Sequence, residues 1–168
     1  MHGIDMTGMI GIVIDHKHRN MVEKQIEKYS GGDGFHTFGM VSNLMLIESL
    51  FWKGVTYNMI QKYIKSNQIV LMCEPLFLNE SQRKDVVKRW ESKLGKKYDK
   101  WNILDRLLKK RRFEDKDKYI CSELIAYGYQ PYWRPLGLDY WQVSPNDIRK
   151  SILYERPAQW NTFWLERS

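Results

Sequence analysis

The order of its apolar runs constrains the fold of this chain more than any other feature. Met9-Ile10-Gly11-Ile12-Val13-Ile14 is a β-branched run with the character of a buried strand. Phe35 to Val41 and Leu44 to Leu50 are two extended runs around Ser42-Asn43, and they read as a hairpin. Gln68 to Cys73 is a further apolar run, closed by Glu74-Pro75. The clearest helical periodicity comes only after these, over Asn79 to Leu94. There Val86, Val87, Trp90 and Leu94 share one face and Gly95 supplies the stop. Strands and helices do not alternate as βαβ units, so the expected class is α+β.

The remaining segments read in the same way. Asp15 to Lys28 reads as a short helix, Ser30-Gly31-Gly32-Asp33-Gly34 as a loop, and Lys53-Gly54 as a turn before a single short helix over Thr56 to Ile64. Trp101 to Leu108 reads as a second amphipathic helix, and Glu114 to Lys118 as a solvated loop. Tyr119 to Ala126 has helical apolar spacing, and Ser144-Pro145-Asn146-Asp147 is a helix start with a serine cap and proline in the first position. A chain of 168 residues fits one domain spanning 1–168, and its 23 aromatic residues exclude a disordered linker. No apolar run approaches the roughly 18–20 residues of a membrane span. Met1 to Ile14 carries Asp5 and has no basic region followed by a long apolar stretch, so no signal peptide is expected. Cys73 and Cys121, 48 positions apart, form neither a disulfide framework nor a metal knuckle. The expectation is a soluble, cytoplasmic protein with reduced thiols.

The net charge of +7 is unevenly placed. Lys93 to Arg112 holds nine basic and two acidic residues, which leaves 18 of each sign in the rest of the chain. Such a segment raises the question of an anionic polymer or surface: nucleic acid, a cell-wall polymer or lipid headgroups. Leu94, Trp101, Leu104, Leu107 and Leu108 interleave with the charges at near-helical spacing, which also makes them the wet faces of two helices. Eleven of the 23 aromatics fall between Tyr119 and Trp164, including Tyr132, Trp133, Tyr140 and Trp141. They suit a core first and a binding groove second.

The candidate chemistry centres on Cys121. A thiol at a helix N-terminus meets unpaired backbone N–H groups that favour thiolate, and these can also hold an oxyanion formed by its attack on a carbonyl. Cys73, set in Ile69-Val70-Leu71-Met72, reads as a buried hydrophobe. Of the four histidines, His36 follows the glycine-rich loop and enters a strand. Glu48 lies twelve residues later on the next strand. With an odd-numbered hairpin loop the two share a face, and Glu48 orients the imidazole; an even-numbered loop separates them.

A resemblance to a family strengthens this reading. Phe35-His36-Thr37-Phe38-Gly39-Met40-Val41, then Leu46-Ile47-Glu48-Ser49 and Gly54-Val55, resembles the "sHvgiv … viEa … Gv" stretch of the YiiX-like cysteine hydrolases, permuted papain-fold enzymes related to the NlpC-type amidases. Gly95-Lys96-Lys97-Tyr98-Asp99 is similar to their "GxxYD", Tyr119-Ile120-Cys121-Ser122-Glu123-Leu124-Ile125-Ala126 to their "yCSElva", and Val143-Ser144-Pro145-Asn146-Asp147-Ile148 to their "sPxdl". The resemblance implies an antiparallel sheet or half-barrel packed against helices, with Cys121 as nucleophile, His36 as base and Glu48 as orienting acid. Tyr98, Tyr119 and Ser122, which lie within these motifs, are candidate substrate contacts. No metal or organic cofactor is required. Three functions fit: a thiol hydrolase acting on a peptide-, glycan- or acyl-containing amide or ester, an acyltransferase or lipase-like enzyme of the same fold, and a non-catalytic basic binding module using residues 93–112.

Overall fold

The computed structural model describes residues 5–14, 36–66, 68–99 and 116–165. Six strands form one antiparallel sheet: β1 (Ile10–Val13), β2 (His36–Met40), β3 (Met45–Leu50), β4 (Gly54–Met59), β5 (Val70–Pro75) and β6 (Trp160–Trp164). Their order across the sheet is β4-β3-β2-β1-β5-β6. The helices are α1 (Gln61–Lys65), α2 (Glu80–Glu91), α3 (Cys121–Tyr129) and α4 (Pro145–Lys150). The class is α+β.

Every residue of β1 is buried because the centre of the sheet is covered on both faces. Ile10, Ile12, Ile47, Leu71 and Cys73 meet Val86, Trp90, Leu124, Ile125 and Tyr129 of α2 and α3 on one face. Met9, Val13, Phe38, Met40, Leu46, Val70 and Met72 pack with Tyr63, Tyr98 and Ile120 on the other. A strand covered on both sides loses its polar alternation, which is why Met9 to Ile14 reads as a continuous apolar run.

Trp90 fixes how the helices seat on the sheet. A Cβ on Gly39 of β2 would lie 2.4 Å from its ring, and one on Gly128 of α3 would lie 2.1 Å from its Nε1. The indole N–H donates to the Ile125 carbonyl at 3.3 Å. Trp90 is therefore wedged between β2 and α3, the two elements that carry His36 and Cys121. The α2 cap is reciprocal: Gln82 N–H donates to Asn79 Oδ1, and Asn79 N–H to Gln82 Oε1, both at 2.9 Å. Gly95 follows with φ +78°, a conformation that suits glycine. Ser144 caps α4 in the same reciprocal way with Asp147.

The structure corrects one element. The segment 54–59 is not helical: β4 pairs with β3 from Met45↔Met59 to Leu50↔Gly54, and only Gln61–Lys65 forms a helix. Val55, Thr56 and Tyr57 favour a pleated surface. A tight turn, with Lys53 N–H donating to Leu50 O at 3.1 Å, returns the chain directly to the β3 edge. β6 is an addition that the apolar pattern did not announce, because it is an edge strand with only Trp160 buried. Trp133 and Tyr140 join the core, at 2% and 8% exposure. The expected elements at 15–28, 30–34 and 101–108, and the charges from Lys100 to Arg112, lie outside the described residues. No helix among the described residues is long and apolar enough to cross a membrane.

Candidate active site

β2 and β3 pair with Gly39 opposite Ile47 and Met40 opposite Leu46. Continuing this register leaves an odd-numbered loop, the condition under which His36 and Glu48 share a face. They do: His36 Nε2 lies 2.7 Å from Glu48 Oε2. Glu48 is fully buried and takes three more donors. Tyr63 Oη donates to the same oxygen at 2.5 Å, while Asn58 Nδ2 and Lys62 Nζ donate to Oε1 at 3.0 and 2.9 Å. Each carboxylate oxygen thus receives two donors, which compensates a charge that burial alone would penalise heavily.

The imidazole is 14% exposed and stacks on Tyr63, which in turn stacks on Phe38. With Nε2 engaged by Glu48, Nδ1 is the nitrogen left to exchange a proton with Cys121. Cys121 is 1% exposed and opens α3 behind its N-cap, Ile120. The first-turn N–H groups of a helix have no carbonyl of their own to bond. The segment before Cys121 is tied to the sheet by Ser49 Oγ, which donates to the Tyr119 carbonyl at 2.6 Å. β3 therefore does two things with adjacent residues. Glu48 points to one face to hold His36, and Ser49 points to the other to hold the approach to Cys121.

The electrostatics follow from this packing. Burial raises the Glu48 carboxyl, but the hydrogen bond and charge of His36, with Lys62 and Tyr63, outweigh it and hold the pKa at about 2. Burial lowers the His36 pKa, and the charge and hydrogen bond of Cys121, followed by those of Glu48, raise it to about 10. For Cys121 burial works against the thiolate. The charge and hydrogen bond of His36, and the N–H and hydroxyl of Thr37, reverse it and bring the thiol below its ordinary value. Both shifts favour the thiolate–imidazolium form, and the pair titrates as a unit. Cys73 has burial alone acting on it, and its thiol is pushed far up.

Compared with known proteins, the chain matches no family model and no curated protein.

The structure brings His36, Glu48 and Cys121 together and places the other candidates around them. Ser122 is fully buried, and its hydroxyl donates to the Val143 carbonyl at 2.7 Å, tying α3 to the segment before α4. Tyr119 packs its ring against Tyr127 and Tyr140. Tyr98 belongs to the apolar cluster of Phe38, Tyr63 and Ile120. Sequence reasoning missed Asn58, Lys62, Tyr63 and Thr37. Asn58 faces Leu46 across the β3–β4 pair, two positions from Thr56, the partner of Glu48. Its place beside the carboxylate follows only once 54–59 is a strand. Thr37 follows His36 and projects to the opposite face; its buried hydroxyl meets no geometric hydrogen-bond partner among the described residues, and it acts on the thiol electrostatically, favouring the thiolate. No group of three His, Cys, Asp or Glu among the described residues is placed to hold a metal ion.

Proposed function

We propose that this chain is a thiol-dependent hydrolase that cleaves an amide or ester through an acyl-enzyme. The observation that carries the reading is the relay from Glu48 through His36 to Cys121, with the thiol at the start of a nine-residue helix. The Cys121 thiolate attacks the substrate carbonyl, a C–S bond forms, and the carbonyl electron pair becomes an oxyanion. The Cys121 N–H, in the first turn of α3, is a donor available to that charge. As the intermediate collapses, the bond to the leaving amine or alcohol breaks and the imidazolium gives that group its proton. Water then attacks the thioester, His36 takes the water's proton, and the thiolate leaves with the acid product free. Glu48 keeps the ring in the productive tautomer and never needs to accept the proton. The order of the site residues along the chain, base before nucleophile, supports the permuted papain-like arrangement implied by the motif resemblance.

p-Nitrophenyl acetate tests this. One equivalent of nitrophenolate is released in a burst, mass spectrometry places the acetyl group on Cys121, and Cys121→Ser abolishes both. A burst that survives Cys121→Ser, or acetylation shared equally with Cys73, overturns the reading.

A further inference from the structure

Lys62 reaches the relay from α1, outside the three elements that carry His36, Glu48 and Cys121. Its neighbour Tyr63 fixes it there. Tyr63 is buried, its N–H donates to the Ile60 carbonyl at 3.0 Å, and its ring stacks on Phe38 at 4.8 Å. Lys62 Nζ then lies 2.9 Å from Glu48 Oε1 and 5.0 Å from the centre of the Tyr63 ring, the ring on which His36 stacks. One end of this ion pair opens to solvent and the other does not: the lysine side chain is 39% exposed and the carboxylate is fully buried.

Charge alternates along the line, from the Lys62 ammonium through the Glu48 carboxylate and the His36 imidazolium to the Cys121 thiolate. Among the described residues, Glu48 from β3, Tyr63 from α1 and Cys121 from α3 face the imidazole, while His36, Lys62, Tyr63 and the uncharged Asn58 face the carboxylate. Burial lowers the His36 pKa, and Cys121 and then Glu48 raise it to about 10. A ring that basic is a reluctant proton donor, because a general acid works best with its pKa near the working pH. A positive charge on the far side of the carboxylate opposes this excess. At about 7 Å, with the screening of a half-exposed group, one unit charge lowers a neighbouring pKa by about one unit.

We propose that Lys62 is a positioning residue that works by its charge: set against Glu48, the ammonium loosens the imidazolium proton and so speeds its transfer to the leaving group. The proposal rests on the hydrolase reading for its catalytic consequence, but the change at His36 is measurable without turnover.

Three substitutions separate charge from hydrogen bonding. Lys62→Arg keeps both, Lys62→Gln offers Glu48 a donor without the charge, and Lys62→Met has neither. In an NMR titration of the 15N-labelled imidazole, loss of the imidazolium is expected about one pH unit higher in Lys62→Gln and Lys62→Met, and at the native pH in Lys62→Arg. The midpoint of Cys121 alkylation by iodoacetamide rises by about half a unit in the same two variants, since the sulfur lies one group further along the line. Acylation of Cys121 is then compared between phenyl acetate, whose leaving group takes up a proton, and p-nitrophenyl acetate, whose leaving group departs as the anion. The ratio of the first rate to the second falls about threefold in the two neutral variants.

An imidazole midpoint within about 0.3 unit of native in both neutral variants, or one that moves equally in Lys62→Arg, overturns the proposal. A shift in Lys62→Met alone overturns it too, since Lys62 would then act only as a hydrogen-bond donor. So does an unchanged ester ratio, or loss of the fold in both neutral variants while Lys62→Arg folds, which would assign Lys62 to stability. The expected midpoints without acylation by either ester would remove the hydrolase reading and still support the action of the Lys62 charge on His36.

Discussion

Replacing Glu48 with glutamine probes the relay through stability and has a computable pH signature. The side chain keeps its shape, but one carboxylate oxygen becomes an NH2 group that cannot accept, so two of the four donors at 2.5–3.0 Å lose their acceptor. The charge that balances Lys62 and the imidazolium also disappears. The native carboxyl sits at about 2 instead of 4.5, and at about 1.4 kcal/mol per pH unit this is about 3 kcal/mol of stability at neutral pH. Because the folded pKa lies below the unfolded one, the contribution is complete above pH 4.5 and is lost as the pH falls through about 2. At pH 3 about 1.5 kcal/mol of it remains. Urea unfolding followed by tryptophan fluorescence, on both proteins at pH 7 and pH 3, reads the difference directly. The gap at pH 7 is expected to be about 3 kcal/mol or more and to narrow by about half that on acidification. A gap below 1 kcal/mol at pH 7, or one that is the same at both pH values, refutes the argument that Glu48 is held ionised by its four donors.

Two further substitutions separate packing from chemistry. Thr37→Val removes a buried hydroxyl that favours the thiolate, so stability is expected to hold or rise. The midpoint of Cys121 alkylation against pH is expected to move up by about one unit, from the loss of a polar interaction with a charged group worth about 1.5 kcal/mol. An unchanged alkylation profile would show that Thr37 does not support the thiolate. Gly39→Ala drives a Cβ to within 2.4 Å of the Trp90 ring and is expected to cost about 1–3 kcal/mol, a fall of several degrees in Tm by calorimetry, together with slower Cys121 acylation. Destabilisation with full acylation would mean that the wedge does not align the site.

The parts of the site legible in the sequence were those fixed by short-range pattern. The helix start at Cys121 is marked by helical spacing after a charged loop, and the His36–Glu48 pairing needs only the parity of one hairpin loop. Asn58, Lys62 and Tyr63 were not legible for a different reason. Thr56 to Ile64 contains a strand end and a single helical turn back to back, and read as one element it takes Asn58 out of register with Glu48. Thr37 carries no local signal at all, since its value lies in α3 arriving over the other face of β2. β6 escaped notice because one buried tryptophan in five residues gives no alternation. The packing of Trp90 against Gly39 and Gly128 is equally non-local: two isolated glycines in a strand and a helix acquire their meaning only when a ring occupies the space between them.

The placement of His36 and Thr37 as neighbours on opposite faces of β2 ties reactivity to correct strand pairing. A one-residue slip of β2 would exchange their surroundings, sending the imidazole toward α3 and the hydroxyl toward Glu48. A two-residue slip keeps the faces but carries both groups about 7 Å along the strand. Either error leaves Cys121 an ordinary buried thiol, little ionised and slow to attack. A chain that has collapsed with the wrong register is thereby disarmed, and the acidity of one sulfur reports whether the whole sheet has been assembled in its native alignment.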